Sequence, residues 1–227
     1  MKLSNRLLQV ASLVKKDATL VDVGCDHGFL PLYLLENRQI KKAYALDINN
    51  GPLENVKANA KRYNFDDKIE CLLSDGLAKV SDIDFDTVVI AGMGGTLIIE
   101  ILKKGLVNLL NKELILQANI NTKGLRKWLL ANNFIISDEK MIRDNDIIYT
   151  IIKAQSGSES KYSDIELMYG RINLENKNHL LFEVIKSDLI KYNDIIKKLP
   201  KESEKYTEFK NKITLIEEYL NEIERID

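Results

Sequence analysis

The sequence predicts an α/β fold: a seven-stranded, mostly parallel sheet with helices on both faces, ended by an antiparallel hairpin and followed by a C-terminal α-helical hairpin. Three observations carry this reading. Up to about residue 154, short apolar strands alternate with helical stretches, the rhythm of a parallel sheet covered on both faces. The glycine turn Gly24-Cys25-Asp26-His27-Gly28 joins the first strand to the apolar run at 29–35, the strand-turn-helix that opens doubly wound domains. Two later strand-like runs, 134–141 and 147–154, are joined by Arg143-Asp144-Asn145-Asp146, too short for a helical crossover and therefore an antiparallel hairpin.

Taken in order, Ser4 caps a first helix through Val14, and strands follow at 20–23, 42–47, 68–73, 87–91 and 113–117. Helices are expected to start near Leu30, Pro52, Gly76, Gly95 and Thr122, each beside a glycine or polar turn able to supply a cap. The sheet domain should span 1–154, with Gln155-Ser156-Gly157-Ser158-Glu159-Ser160-Lys161 as linker and a second domain at 162–227. There, Phe182, Ile185, Leu189, Tyr192, Ile196 and Leu199 form one stripe with heptad spacing, and Tyr206, Phe209, Ile213, Ile216, Leu220 and Ile223 form another. Pro200 and Ser203 separate them, which predicts an antiparallel coiled-coil hairpin with arms of about 30 to 37 Å.

Composition narrows the function classes. With 227 residues, 45% of them apolar, the chain can bury a full core. No apolar run reaches the roughly 20 residues that span a bilayer, and the first residues lack a signal-peptide pattern, so a cytoplasmic protein is expected. Cys25 and Cys71, the two cysteines, have neither the number nor the spacing of a disulfide framework or a zinc site, and no metal is expected. The chain carries 21 basic against 19 acidic residues up to Lys153 and 12 against 15 beyond it, so any nucleic-acid surface must be a local patch. A monomer is expected, with dimerisation through the C-terminal hairpin as the alternative.

The chemistry concentrates at strand ends. In the glycine turn, Asp26 stands where a dinucleotide fingerprint has glycine, and the third glycine of G-x-G-x-x-G is absent. An acid there repels a pyrophosphate and tolerates a cation such as S-adenosyl-L-methionine. Asp47 closes the second strand about twenty residues on and is placed to accept from ribose hydroxyls, with Ile48 after it. Ser74-Asp75-Gly76 ends the third strand, where Asp75 either accepts from an adenine amino group or caps the next helix. Together with Gly24, Cys25, Asp26, His27 and Gly28, these outline a pocket for an adenosine-containing cofactor, and Ala91, Gly92 and Met93 after the fourth strand border it. Gly94 and Gly95 leave room for a base arriving edge-on. Asn119 carries donor and acceptor together and can read a base edge. Arg6, Lys41, Lys42, Lys123, Arg126 and Lys127 are candidate phosphate contacts, and Trp128 has the spacing of a core residue.

Several of these motifs together resemble one family. Leu3-Ser4-x-Arg6-Leu7, Asp22-x-Gly24-x-Asp26-His27-x-x-Leu30-Pro31, Asp75-Gly76-Leu77, Ile90-Ala91-Gly92-Met93-Gly94-Gly95-x-Leu97-Ile98, Leu114-Ile115-Leu116-Gln117-x-Asn119 and Leu125-Arg126-x-Trp128-Leu129 are similar to the TrmK family of bacterial tRNA adenine-N1 methyltransferases. The resemblance covers nearly the whole chain, with Asp47 where relatives can have Glu and Ala118 where Pro is common. It implies a class I methyltransferase Rossmann-like sheet, S-adenosyl-L-methionine as cofactor and tRNA as partner, with methyl transfer to N1 of adenine 22 in the D-arm region. On this reading Asp26 and Asn119 are the catalytic pair. The alternatives are a methyltransferase acting on another RNA, a protein or a small molecule, and a non-catalytic RNA-binding scaffold of the same fold.

Overall fold

The protein is described by a computed structural model over residues 1–224. It divides into two compact units, Met1–Ser160 and Lys161–Asp227, the last three residues of the expected second domain lying outside the described residues.

The first unit is built on one seven-stranded sheet of order β3-β2-β1-β4-β5-β7-β6. Its parallel strands are β1 (Ala18–Val23), β2 (Ile40–Asp47), β3 (Ile69–Leu73), β4 (Thr87–Met93) and β5 (Glu113–Ala118). The last two, β6 (Phe134–Asp144) and β7 (Ile147–Ser156), form the antiparallel hairpin, and β7 inserts between β5 and β6. The central strands are continuous aliphatic runs because both faces are covered: Leu20, Val21, Val88, Val89, Ile90, Leu114, Ile115 and Leu116 are all fully buried. Helices α1 (Asn5–Leu13), α2 (Phe29–Glu36), α3 (Asn50–Arg62), α4 (Gly95–Gly105) and α5 (Thr122–Ala131) supply the covering layers. The Ser4 side chain accepts from the Leu7 amide and caps α1 as expected.

Three expectations need correction. No helix starts at Gly76: the 74–86 connection runs through turns, with Gly76 left-handed at φ 58° and Ser81, Asp82, Asp84 and Asp86 competing for backbone partners. Leu77, Val80 and Phe85 still bury their side chains, so the segment packs without being helical. The expected linker starts too early, because β7 continues through Gln155 and Ser156, paired with Ile135 and Phe134. Arg126 is not a surface cation. It is 1% exposed and its Nε donates to Glu139 Oε1 at 2.8 Å, joining α5 to β6.

The second unit is helical. Ser163 opens α6 (Asp164–Tyr169) with a reciprocal capping box to Glu166, and α7 (Arg171–Glu175) follows. Then come α8 (His179–Ile196) and α9 (Glu204–Glu224). The Tyr192 and Phe209 rings lie 5.3 Å apart across the α8–α9 pair, while Tyr219 near the far end of α9 donates to the Leu174 carbonyl before α8. Those contacts make the pair antiparallel. Ile185, Ile213 and Ile216 of the two stripes are buried between them.

Burying one ion pair this fully means that removing either partner strands a charge in the core. Arg126→Ala should lower unfolding free energy in urea by about 3 to 5 kcal/mol, whereas Lys127→Ala, one residue on and exposed, should change it by less than about 0.5 kcal/mol.

Candidate active site

The strand order creates the site. From β1 the sheet extends through β2 on one side and β4 on the other, so the loops after β1 and β4 diverge and open a crevice at their carboxyl ends. The turn after β1 is tightly wound: Gly24, Asp26 and Gly28 have φ of 73°, 47° and 68°, and the Gly28 amide donates to the Cys25 carbonyl at 2.7 Å. Both ends favour glycine because both have positive φ. A Cβ on Gly24 would lie 2.1 Å from Met93 Cε, and one on Gly28 would lie 2.9 Å from Val56 Cγ1 of α3. Gly28 then starts α2, whose first amides face the crevice.

Two adjoining hollows fill the crevice. A cleft of about 320 Å³ is lined by Arg6, Leu7, Asp22, Gly24, Cys25, Asp26, His27, Phe29, Leu30, Ala91, Gly92 and Met93. A smaller hollow of about 140 Å³ is lined by Val23, Gly24, Asp47, Ile48, Ser74, Asp75, Gly76, Met93, Leu97 and Ile101. Gly24 and Met93 line both. The residues expected around a cofactor are thereby brought together, all but Gly28 lining one hollow or the other. The narrower hollow carries carboxylates at its rim and aliphatic walls, which fits a nucleoside. The wider one mixes polar and apolar lining, which fits an amino-acid chain and an incoming acceptor.

Electrostatics favour a cation here. Asp22, 6% exposed on β1, is pushed up to about 7 by burial alone. The Asp26 side chain is 77% exposed at the cleft, with His27 Nε2 3.5 Å from its Oδ1. His27 stacks on Phe29 at 5.3 Å between centroids, so its ring is braced while it faces Asp26. Asp47 accepts from the Asn49 amide at 2.9 Å, which turns its carboxylate at the strand end. Asp75 pairs with Lys104 at 2.6 Å. Ser74 is buried and donates to the Gly76 carbonyl at 2.9 Å, holding the left-handed Gly76 turn. The Cys25 thiol is buried and raised well above its usual range, chiefly by desolvation, so it is an inert wall.

The acceptor side differs more from expectation. Gly92 is exposed on the cleft, and Gly94 caps α4. Gly95 is buried against the next turn: its amide donates to the Ile120 carbonyl at 2.9 Å, and a Cβ there would lie 2.5 Å from the Asn121 carbonyl oxygen. It shapes the backbone rather than meeting a base. Asn119 is exposed beside Gly92 and donates to its carbonyl at 2.8 Å. Arg6 is drawn into the cleft wall, donating to Gln117 and lying 5.5 Å from the Tyr149 ring centre. Lys123 and Lys127 stand on α5 at the same edge of the sheet, with Lys127 exposed. Lys41 and Lys42 sit at the amino end of β2, away from the crevice, and Lys42 is paired with Glu70. Trp128 stacks on Phe134 at 6.2 Å and is packed as its spacing suggested. Sequence reasoning passed over Asp22 and Gln117 as individual residues, although an acid and an amide inside otherwise aliphatic strands were visible signals.

Comparison with known proteins agrees with this geometry. Residues 20–218 match the model of the TrmK family, tRNA (adenine(22)-N(1))-methyltransferase. The chain is 34% identical over 174 residues to the tRNA (adenine(22)-N(1))-methyltransferase of Bacillus subtilis, covering 76% of this chain and 73% of that one. Among solved structures, Mycoplasma TrmK (M. capricolum) in complex with the product S-adenosyl-homocysteine superposes with a TM-score of 0.88 at 31% identity, over 97% of this chain and 99% of that chain. The Streptococcus pneumoniae protein Sp1610 in complex with S-adenosyl-L-methionine gives 0.88 at 32% identity, over 96% and 100%. A crevice built for a cationic nucleoside, on a sheet of this topology, therefore belongs to a known lineage: the chain is a member of the TrmK family of tRNA (adenine(22)-N(1))-methyltransferases.

Proposed function

We propose that this protein transfers the methyl group of S-adenosyl-L-methionine to N1 of adenine 22 in the D-arm region of tRNA. The observation that carries the reading is the pair of hollows meeting at Gly24 and Met93, one suited to adenosine and the other to a methionine chain and an acceptor base. Asp47 accepts from the ribose and Asp75 from the adenine amine of the cofactor, with Ile48, Ser74 and Gly76 shaping that hollow. Gly24, Cys25, His27, Gly28, Ala91, Gly92 and Met93 surround the methionine end, beside the buried Asp22. The cofactor supplies a methyl group on a cationic sulfur.

Adenine N1 has a free lone pair, so methylation needs no prior deprotonation. The N1–methyl bond forms as the sulfur–methyl bond breaks, and positive charge passes to the ring. The protein's task is alignment, together with a negative group near the developing charge. Asp26 is the catalytic group, exposed at the cleft with His27 Nε2 3.5 Å from its Oδ1. Asn119 contacts the acceptor edge, and the backbone at Gly92 and Gly94 leaves the base room. The target base must leave its stack to reach this cleft, so phosphate contacts should hold the RNA nearby. Lys123 and Lys127 are placed for them; buried Arg126 is not, and Arg6 acts within the cleft. Residues 1–160 carry the chemistry and the helical unit adds RNA contact. The protein acts as a monomer in the cytoplasm, without a metal.

Asp26→Ala should cut single-turnover methylation of unmodified tRNA at least about 100-fold and leave cofactor affinity within a few-fold; normal turnover would remove Asp26 from the mechanism. A chain ended at Ser160 should retain cofactor affinity and lose most tRNA affinity in a filter-binding titration. Between the ordinary carboxylate range and about 7, folded Asp22 holds a proton that the unfolded chain has lost; its contribution to stability therefore falls as pH rises through that window. A cation bound beside it favours the ionised form. Cofactor binding at pH 6 should thus release a proton and tighten as pH rises towards 7.5, as read by calorimetry in buffers of different ionisation enthalpy, and Asp22→Asn should abolish the release.

A further inference from the structure

Gln117 is the only amide among the six residues of β5, and its side chain is fully buried between the aliphatic neighbours Leu116 and Ala118. A primary amide in such a place must find partners for both its ends. All of Gln117's recorded partners lie on the cleft side. Its Oε1 accepts from the Gly92 amide at 3.0 Å and from Arg6 Nη1 at 2.5 Å, and its Nε2 donates to Asn119 Oδ1 at 3.0 Å. Asn119 Nδ2 donates in turn to the Gly92 carbonyl at 2.8 Å. The three residues close a ring through both backbone polar groups of Gly92 on the cleft wall.

The ring has only one polarity. A backbone N–H can only donate, so the Gln117 atom facing Gly92 is oxygen and its other atom is nitrogen. That nitrogen can only donate, so the Asn119 atom facing it is oxygen. The remaining Asn119 atom is then nitrogen, facing a carbonyl that can only accept. Arg6, a donor without acceptor capacity, fixes the same sense from outside. Turning over Gln117 would set donor against donor or acceptor against acceptor at three contacts, and turning over Asn119 at two.

We propose that Gln117 is a positioning residue that fixes the amide polarity of Asn119 and thereby makes the site selective for a base with an exocyclic amine next to its nucleophilic nitrogen. This rests on the reading that Asn119 contacts the acceptor adenine. With its polarity locked, Asn119 keeps a lone pair of Oδ1 for the N6 amine and commits an N–H to Gly92. Reversed, it offers that N–H to the acceptor edge, where it competes for the N1 lone pair that must attack the methyl group. Gln117 touches neither substrate, yet sets which hydrogen-bonding face the substrate meets.

The test is Gln117→Glu, which keeps the shape and can still accept from Gly92 and Arg6 but, ionised beside Arg6, cannot donate to Asn119. The wild type and Q117E are assayed with two tRNAs, one carrying adenine and one carrying purine, which lacks the amine, at the target position. The quantity read is the ratio of kcat/KM for adenine to that for purine. Its change between proteins cancels the intrinsic reactivity of the bases and does not depend on the fraction of folded enzyme, so it remains readable in a variant of low stability. The ratio should fall roughly tenfold in Q117E, the size expected for one lost hydrogen bond to a site polar group, and should show no further fall when Q117E is added to Asn119→Ala. The Kd for S-adenosyl-homocysteine should stay within about threefold. A ratio unchanged in Q117E, with normal wild-type turnover, overturns the proposal alone. A wild type inert on the adenine tRNA overturns the functional reading and the proposal with it.

Discussion

Everything in the first unit depends on β1 being hydrogen-bonded on both edges, to β2 and to β4. A strand in that position must be apolar on both faces, and its carboxyl end must be where the chain turns away from the sheet. The loops after β1 and β4 leave towards opposite helical layers and open a space between them, into which Met93 reaches. The crevice is a topological necessity of this strand order before any residue gives it chemistry. Asp22 lies inside that constraint. Because it occupies a doubly paired strand, its carboxyl is buried and pushed up to about 7, a cost that makes structural sense if a cation is to sit there.

The same constraint explains how rigidly the cleft wall is held. Left-handed backbone at Gly24, Asp26 and Gly28 keeps the turn compact enough for Met93 to reach over it and for α3 to pack behind it. On the opposite wall, Gly95 locks the start of α4 against the turn before α5, and the Gln117 ring fixes the peptide at Gly92. Both walls are preorganised by backbone geometry and buried hydrogen bonds, and the side chains exposed on them include Asp26, Phe29, Asp75 and Asn119, with an aliphatic rim at Ile48, Leu97 and Ile120. Preorganisation of this kind suits a reaction in which alignment, and not proton abstraction, sets the barrier.

What the sequence disclosed follows the same physics. The strands were legible because central parallel strands are mostly aliphatic, and the hairpin because four residues cannot make a crossover. That Asp47, Asp75 and the glycine turn line the crevice was legible because they stand at strand carboxyl ends, where this strand order opens it. The 74–86 segment misled because it buries Leu77, Val80 and Phe85 at spacings a helix would also use, while Gly76 and the aspartates favour turns. Gly95 was read for its missing side chain, which matters for backbone contact instead of ligand space.

Arg126 shows where a single sequence runs out. A basic residue between Leu125 and Lys127 on an amphipathic helix looks solvated, and nothing local distinguishes it from Lys123 or Lys127. Its partner Glu139 is 13 residues away on β6, and only the docking of α5 beneath the hairpin brings the two together. Burial then decides its role: a guanidinium satisfied by a buried carboxylate ties α5 to β6 and cannot also neutralise a phosphate.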